Sequence, residues 1–459
     1  MQGAEAEASV ANAKKMGRWS AHSIVSGSML GIGIFIFPPV VAQHIHSSGW
    51  FMLVWLVGGL AALCGALCVA EMGAMMPRAG GEYPYLRLAY GPGVAFSTGW
   101  LQLLATFPGS LATMAVGTAT YQLPVLFGAR MAVPIELGVM TVEASTFWAI
   151  ALVVLLTGLN HIGVVLSGRV QLVLTLVPLS VLLAVSLFVV GDIGTVEVAG
   201  AGIDLDLDLW PMPTAAALAA AYLPVYFAYS GWNAAIYIGG EIEEPGRNLP
   251  HAVIGGTLSV LVLYMVLSLG FLSVFSVADL AGVGEAGTAA AGRLFGQVGI
   301  FVMTTMILLA MLGSINGSVM TGSRIAYAMA EQGHFPPSGG RLHPRFGTPI
   351  VALWTQAGLA VGLITMQGFE ALMRYTSCAM LISGSLTVYS VVRLRRRLPE
   401  MPRPYRVGFY PWVPLAYIGS CVFVLAVLVA QLDVSVFMAV GWFALALLVH
   451  HLVVRGRLR

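Results

Sequence analysis

Long apolar runs separated by short polar connections occupy almost the whole of this 459-residue chain. A helix needs about 20 apolar residues to cross the hydrocarbon core of a bilayer. Twelve runs of about that length can be distinguished, at residues 20–42, 49–74, 93–123, 146–166, 170–190, 214–238, 252–277, 297–327, 349–367, 371–392, 412–430 and 434–453. Only 9% of the residues are charged and 58% are hydrophobic, a balance that is not typical of soluble domains. The pattern predicts an all-α polytopic membrane protein with twelve transmembrane helices.

The basic residues are distributed unevenly between the two sets of connections. If the N-terminus is cytoplasmic, all 22 Lys and Arg residues except Arg130, Arg293 and Arg374 fall on the cytoplasmic side. Loops rich in Lys and Arg remain in the cytoplasm, and removing one span would destroy this asymmetry. We therefore expect both termini to be cytoplasmic. With Lys14 and Lys15 the only lysines, 54 Gly and abundant Ala and Val, the composition suggests a GC-rich bacterial genome. For a multi-pass protein, this predicts the bacterial inner (cytoplasmic) membrane.

Two of the predicted spans contain residues that interrupt a helix. Span 1 places Gly27, Gly31 and Gly33 within seven residues, and each Gly costs about 1 kcal/mol relative to Ala inside a helix. In span 6, Pro224 and Gly231 flank an aromatic cluster. Taken alone, the first two glycines are also explained by close packing of two helices. Two interruptions about 200 residues apart, each opening a five-span half, indicate an inverted-repeat transporter with its site at the midplane.

An interrupted helix leaves backbone N–H and C=O groups without helical partners. Each such group costs several kcal/mol if it faces lipid, so the interruptions must line a cavity or bind a ligand. The half-helix that begins after the first break has a partial positive charge at its N-terminus, which suits a carboxylate. The carbonyl groups that end the first half of span 6 suit an ammonium group. The two breaks together therefore favour a zwitterion.

Five stretches carry signatures in a specific order along nearly the whole chain. They are Gly27 to Pro38, Pro77 to Tyr85 followed by Tyr90-Gly91-Pro92, Phe227 to Asn233 followed by Glu241 to Pro250, Ser323 to Gly333, and Arg403 to Val407. In this order they resemble the amino acid–polyamine–organocation (APC) superfamily of secondary transporters. Within it, they resemble the L-type amino acid transporter branch and its bacterial relatives.

This resemblance implies a fold of two five-span inverted repeats with broken helices 1 and 6, plus two C-terminal helices. The expected segments are a cytoplasmic tail (1–19), the first repeat (20–190), an external loop (191–213), the second repeat (214–398), and spans 11 and 12 with the cytoplasmic C-terminus (399–459). The resemblance also places substrate contacts at backbone N–H groups of Gly31, Ile32 and Gly33 for the carboxylate, and at carbonyl groups of Phe227, Ala228 and Ser230 for the ammonium.

The resemblance further assigns Phe227 as the aromatic gate that closes over the bound substrate from outside. The residues expected to support the two breaks are Gly27, Ser28, Gly231, Trp232 and Asn233. Two positions depart from the family pattern. Ile32 stands where the family commonly has Ser or Thr, so only its backbone can contact the carboxylate. Pro178 stands where many members carry a lysine, which puts proton coupling at that position in doubt.

The sequence therefore predicts a secondary transporter of neutral L-amino acids that works by alternating access, with amino acid exchange preferred and proton symport next. A polyamine or another organic cation is a further alternative, and it would require an acidic group in the pocket. No acidic or basic side chain is apparent near either break. No metal cluster, catalytic set or paired intramembrane carboxylates stand out. We expect no enzyme activity, cofactor, metal or nucleic-acid partner.

Some remaining polar residues have expected roles outside the site. Glu71, near the inner end of span 2, is expected to be satisfied by Arg78 or by loop amides. The cluster from Arg393 to Arg397 is expected to anchor the topology, with contact to anionic lipid as a second possibility. Residues 124–145 contain no cysteine, whereas the eukaryotic L-type branch joins a glycoprotein through a cysteine in this loop. We therefore expect no disulfide-linked heavy chain.

Overall fold

The computed structural model describes residues 16–77, 80–137, 140–191, 209–366 and 368–454. Within these ranges, nine helical segments are long and apolar enough to cross a membrane. Two shorter apolar helices, Ala215–Ala228 and Ile350–Met366, lie in two further predicted spans. Residues 92–127 form a continuous helical rod over predicted span 3. The expectation of a helical, multi-pass membrane protein is confirmed.

Nine α-helices are present among the described residues up to Gly191. They are α1 (Arg18–Met29), α2 (Gly33–Ala42), α3 (Ser48–Met75), α4 (Tyr83–Tyr90), α5 (Pro92–Leu101), α6 (Phe107–Gly117), α7 (Leu123–Phe127), α8 (Ala144–His161) and α9 (Val164–Gly191). Two π-helical turns, Gln102–Thr106 and Thr118–Gln122, join α5, α6 and α7 into the rod. A short antiparallel hairpin of β1 (Ile135–Leu137) and β2 (Met140–Val142) precedes α8.

The second half begins after the external connection. Its helices are α10 (Ala215–Ala228), α11 (Ala234–Tyr237), α12 (Pro245–Val274), α13 (Val277–Ala281), α14 (Ala286–Glu331), α15 (Ile350–Met366), α16 (Phe369–Arg397), α17 (Trp412–Ala430) and α18 (Val434–Val449). Single turns of 3-10 helix occur at Ala129–Ala132, Gly239–Glu241 and Pro337–Gly340, and a π-helical turn, His450–Val454, follows α18.

Two predicted boundaries differ from the structure because of glycine. Helices α8 and α9 meet at Gly163, whose φ of +141° favours Gly, so Arg169 lies inside a helix instead of in a loop. Helix α14 begins at Ala286, eleven residues before the predicted span, and bends at Gly296, whose φ is +60°. The predicted start at residue 297 therefore coincides with this bend.

Several expectations concern segments outside the described residues. These are most of the N-terminal tail with Lys14 and Lys15, Arg78 in the loop after α3, the acidic part of the external loop, and the three arginines after residue 454.

The side of the bundle where α1 begins and α3 ends is called the N-terminal face below. At this face, Glu71 is 2% exposed and pairs with Arg395 at 2.5 Å and with Arg403 at 3.3 Å. It also accepts a hydrogen bond from the Val407 N–H at 2.8 Å. The expected loop amide is therefore present, and the paired arginines come from α16 and the following loop. Within the arginine cluster, Arg395 thus has a structural role in addition to any lipid contact.

The segment formed by α1 and α2 lies at the centre of the bundle. Its most apolar window is 89% buried inside the protein, whereas the corresponding window of α18 and the turn after it is 22% buried. A membrane helix surrounded by protein can contain irregular backbone, because its polar groups find partners other than lipid. The interrupted helix thus occupies the position where an interruption is tolerated.

Candidate functional site

The break in the first span falls at the predicted glycines. Helix α1 ends at Met29 and α2 begins at Gly33, which leaves Leu30, Gly31 and Ile32 outside both helices. The Leu30 N–H donates to the Ser26 carbonyl at 2.7 Å. Among the described residues, no backbone carbonyl accepts from the N–H of Gly31 or Ile32. The N-terminal end of α2 thus carries donors of the kind that bind an anion.

The break in the sixth span brings its backbone directly onto the first. Helix α10 ends at Ala228, and α11 begins at Ala234. Between them, Gly231 has a φ of +99°, and a Cβ at this position would lie 2.8 Å from the Ser28 carbonyl oxygen. Only glycine satisfies both the left-handed backbone and this close approach.

The two breaks also touch at a second point. A Cβ at Gly33 would lie 2.4 Å from the Cα of Ala228. The Ile32 side chain packs onto Gly117 of α6, where a Cβ would meet its Cδ1. Gly31 packs against Ser314 of α14, whose Oγ would lie 2.8 Å from an added Cβ. The backbone expected to bind a substrate is therefore enclosed by protein contacts.

Aromatic rings cover the breaks on the side opposite the N-terminal face. Phe227 is 3% exposed, and its ring lies perpendicular to that of Phe37, with the centroids 5.7 Å apart. The Phe37 ring lies 6.1 Å from that of Phe369, which lies 6.2 Å from that of Tyr121. These four side chains are called the aromatic cluster below.

A polar cavity lies on the other side of the breaks, toward the N-terminal face. Hydroxyl and amide side chains supply most of its lining, among them Gln102, Ser314 and Thr321. Of the six residues expected to bind substrate, Ser230 lines this cavity. Of the five supporting residues, Ser28, Gly231, Trp232 and Asn233 line it. The cavity is therefore bounded on one side by residues of the two breaks, such as Ser28 and Ser230. On the other side it extends toward Glu82 in the loop between α3 and α4.

Gly27, the remaining supporting residue, faces α9 instead of the cavity. A Cβ there would lie 2.0 Å from the Thr175 Oγ1 and 2.3 Å from the Gln171 Nε2. Thr175 donates to the Ser23 carbonyl at 3.3 Å, and Gln171 accepts from Asn316 of α14 at 2.8 Å. Neutral hydroxyl and amide groups therefore connect α1, α9 and α14, one turn before Pro178.

The cavity contains an acidic side chain, Glu82, so the expectation of none near the breaks is wrong. Its carboxylate is 2% exposed and accepts hydrogen bonds from Asn233 at 2.5 Å, from Thr387 at 2.8 Å and from Gln102. Burial raises the pKa of the Glu82 carboxyl, and these hydrogen bonds offset only part of the effect. Among the described residues, which exclude Arg78, no base forms an ion pair with it.

Local backbone geometry explains how Glu82 reaches the cavity. Gly80 and Gly81, with φ of +110° and +59°, turn the chain back into the bundle just before it. A Cβ at Gly81 would lie 2.1 Å from the Tyr237 ring of α11, so the turn packs against the second half of the broken helix. The glycine pair preceding an acidic residue was the available sequence signal.

A second residue that sequence reasoning missed is Tyr264 of α12. Its hydroxyl donates to the Met29 carbonyl at 2.6 Å and lies 3.3 Å from the Ala228 carbonyl oxygen. These carbonyls end α1 and α10, so one hydroxyl contacts the C-terminal ends of both half-helices. Sequence spacing carries no signal for this contact, since α12 is far along the chain.

Tyr264→Phe is expected to lower transport about tenfold while the protein remains folded. The substitution leaves the buried Met29 carbonyl without this donor, which costs about 1–3 kcal/mol. Uptake into proteoliposomes, normalised to reconstituted protein, measures the effect. The matched control is Tyr222→Phe, which removes a hydroxyl that donates to Ser420 at 3.1 Å in α17. Equal transport by the two variants would contradict the role of Tyr264.

Contacts at the N-terminal face join the second half of the sixth span to the start of the first. The Met16 N–H donates to the Glu241 carbonyl at 2.8 Å, and the Glu243 N–H donates to the Met16 carbonyl at 3.0 Å. Arg324 of α14 pairs with the Glu241 carboxylate at 3.3 Å. Together these contacts are called the N-terminal latch below.

Two interrupted, buried helices in contact around a polar cavity define a multi-pass membrane protein with a central site. The family model described as "Amino acid permease" matches residues 16–450. The chain belongs to this amino acid permease family, which confirms the resemblance to the APC superfamily.

Curated relatives match over most of the chain. Asc-type amino acid transporter 1 of Mus musculus is 30% identical over 421 residues, which cover 91% of this chain and 76% of the relative. Serine/threonine exchanger SteT of Bacillus subtilis is 30% identical over 418 residues, 90% of each chain. Large neutral amino acids transporter small subunit 2 of Mus musculus is 30% identical over 426 residues, 92% of this chain and 78% of the relative.

Proposed function

We propose that the protein is a secondary transporter of neutral L-amino acids that exchanges one amino acid for another by alternating access. The observation that carries the proposal is the pair of contacting breaks, which places the N-terminal end of α2 beside the carbonyl end of α10. Among the described residues, no backbone carbonyl accepts from the N–H of Gly31 or Ile32. The matched family and the names of the relatives, two amino acid transporters and a serine/threonine exchanger, support the same class of cargo.

The proposed architecture has twelve spans in two inverted five-span repeats, 20–190 and 214–398, followed by two more helices. In support, described helices occupy all twelve predicted apolar runs, and the first span of each half is broken. The proposed termini are cytoplasmic, which makes the N-terminal face the cytoplasmic one, and a bacterial inner membrane fits the relative from Bacillus subtilis.

In the proposed site, N–H groups of Gly31, Ile32 and Gly33 bind the carboxylate, and carbonyl groups of Phe227, Ala228 and Ser230 bind the ammonium. The Phe227 carbonyl already accepts from the Ser230 N–H at 2.9 Å. The Ala228 carbonyl oxygen lies 3.3 Å from the Tyr264 hydroxyl, whose proton is donated to Met29. Each carbonyl oxygen has two lone pairs, so a second donor can be accepted. Substrate entry requires the contact between Gly33 and Ala228 to separate, which is a conformational change of the kind that alternating access supplies.

Glu82 bears on the two alternative functions, proton symport and transport of an organic cation. An acidic group in the cavity is what proton symport or transport of an organic cation would require. Its two oxygens already accept from three neutral side chains, so an organic cation would have to displace existing donors, whereas a proton would not. Proton coupling is therefore the favoured second candidate. Ligand-induced shifts of the unfolding temperature, compared between neutral amino acids and polyamines, test the organic-cation alternative.

Counterflow from proteoliposomes tests the proposed function. Vesicles loaded with one unlabelled amino acid are diluted into labelled amino acids from a panel, at two internal pH values. We expect labelled uptake to exceed that of empty vesicles for small neutral amino acids. If no amino acid enters loaded vesicles above the level of empty ones, with or without a pH gradient, the proposal is rejected.

Phe227→Ala is expected to lower transport more than it lowers protein abundance. The substitution removes the ring that packs on Phe37 at 5.7 Å, and the aromatic cluster then no longer closes over the breaks. Uptake per reconstituted molecule is the measurement. Phe301→Ala, at a ring that is 63% exposed on the surface of α14, is the matched control. Undiminished uptake by Phe227→Ala at normal expression would contradict a gating role.

We also propose that no heavy chain is attached by a disulfide. The loop at residues 124–145 contains no cysteine, and the four cysteines of the chain lie in α3, α16 and α17 with free thiols.

A further inference from the structure

Glu82 supplies the acidic group among the side chains that line the cavity. It belongs neither to the breaks nor to the proposed substrate contacts. Among the described residues Glu82 has no counter-ion. A buried carboxylate without one costs several kcal/mol, and neutral donors recover only part of that cost. A side chain in this state requires an explanation that the proposed substrate contacts do not supply.

The three donors to Glu82 come from three separately packed elements. Gln102 lies in the π-helical turn of the α5–α7 rod, Asn233 lies directly before α11, and Thr387 lies in α16. Glu82 itself follows α3. One carboxyl group therefore holds together four parts of the bundle, and one of them is the second half of a broken helix.

In the part of the chain that the structure describes, the titratable side chains that face Glu82 are tyrosines. They are Tyr85 of α4, Tyr226 of α10, Tyr237 of α11 and Tyr417 of α17. The donors from the rod and from α16 are neutral. Two ion pairs among the described residues lie close in sequence to these elements, Glu71–Arg395 and Glu241–Arg324. Neither of them includes Glu82. No described cation competes with a proton for this site.

We propose that Glu82 is the proton-binding site of the transporter, an inference that rests on the proposed transport function. The closed arrangement is the one in which Asn233 contacts Glu82, as in the structure. In it, the carboxylate takes one proton from water at the N-terminal face and becomes a neutral carboxylic acid. When α11 withdraws, Asn233 leaves, water reaches the carboxyl group, and the same proton returns to that water. Because the proton binds the closed arrangement better, its concentration at this face shifts the balance between the two arrangements.

Counterflow at varied internal and external pH tests the site in vesicles of known protein orientation. We expect the wild-type rate to depend on pH at the N-terminal face, with a limiting slope of about tenfold per pH unit for one proton. Glu82→Gln keeps the size and one acceptor but cannot titrate, so its rate is expected to be independent of that pH. Glu82→Asp retains a titrating group and is expected to keep a pH dependence with a shifted midpoint.

Glu285→Gln is the matched control. Glu285 is a partly buried carboxyl on the opposite side of the bundle, where it accepts from the Gly287 and Thr288 N–H groups at 2.6 and 2.9 Å. We expect this variant to keep the wild-type dependence on pH at the N-terminal face.

Thermal unfolding provides a readout that does not require transport. A carboxyl whose pKa is raised in the folded state binds protons more tightly there than in the unfolded chain, so its contribution to stability falls as pH rises above the ordinary value of 4.5. We therefore expect the unfolding temperature of Glu82→Gln, minus that of wild type, to increase as pH rises from 4.5.

The outcomes separate the two proposals. A Glu82→Gln rate that follows pH as the wild type does, a wild-type rate that ignores pH, or parallel unfolding curves would each overturn the proton site and leave exchange intact. If the wild-type protein exchanges no amino acid, the transport proposal fails, and the unfolding curves alone then decide whether Glu82 binds the proton.

Discussion

Gly231→Ala is expected to abolish amino acid counterflow. The added methyl group must occupy a position 2.8 Å from the Ser28 carbonyl oxygen, at a residue whose φ is +99°. A non-glycine residue in the left-handed region costs about 1–2 kcal/mol, and inserting a methylene into a packed contact costs a further 1–3 kcal/mol, roughly. The two breaks must separate by several tenths of an ångström, which displaces both halves of the proposed site. A rate below about a tenth of wild type follows, since each 1.4 kcal/mol is worth about tenfold.

Gly358→Ala in α15 is the matched control for this substitution. Nothing lies within 4 Å of a Cβ at that position, and Gly358 is helical. Alanine there is expected to preserve counterflow and to stabilise the helix slightly. If Gly231→Ala transported as well as Gly358→Ala, the close contact between the breaks would not be needed for function.

Of the substitutions proposed here, Glu71→Gln is expected to lower the free energy of unfolding the most. Removing one member of a buried ion pair leaves uncompensated charge and typically costs about 3–5 kcal/mol. Here two guanidinium groups, Arg395 and Arg403, lose their shared carboxylate, and the Val407 N–H loses an ionised acceptor. The loop before α17 is held to α3 through these contacts. Thermal unfolding in detergent, followed by light scattering, measures the fall in unfolding temperature.

Two further variants make this result interpretable. Glu400→Gln removes an exposed carboxylate from the same face and is expected to leave the unfolding temperature within the range of ordinary surface changes, about 0.5 kcal/mol. Arg395→Gln combined with Glu71→Gln is expected to cost less than the sum of the two single changes, because the double variant removes both charges of the pair. Strict additivity would show that the pair is not energetically coupled.

Features encoded by neighbouring residues could be predicted from the sequence. The positions of both breaks followed from Gly31, Gly33 and Gly231, since glycine changes the backbone where it stands. The helical, multi-pass character of the protein followed from the apolar runs. Local chemistry of this kind does not depend on which segments meet in the folded bundle.

Contacts between distant segments could not be predicted in this way. Glu82 reaches the cavity because its loop packs onto α11, and its partner Asn233 is 151 residues later in the chain. Tyr264 reaches both breaks from α12. Arg395 and Arg403 pair with Glu71 from elements more than 300 residues later in the chain, for the same reason. The enclosure of Gly33 by Ala228 likewise depends on how the two halves pack, which no spacing in the sequence reveals.

The N-terminal latch consists partly of backbone hydrogen bonds, so its opening can be timed isotopically. The Met16 and Glu243 N–H groups donate to carbonyl groups within the N-terminal latch. Their hydrogens exchange with deuterium only when the latch opens. Neither residue lies in the proposed substrate site. Deuterium incorporation at these two amides therefore reports how often the N-terminal face opens, independently of cargo and of any substitution in the site.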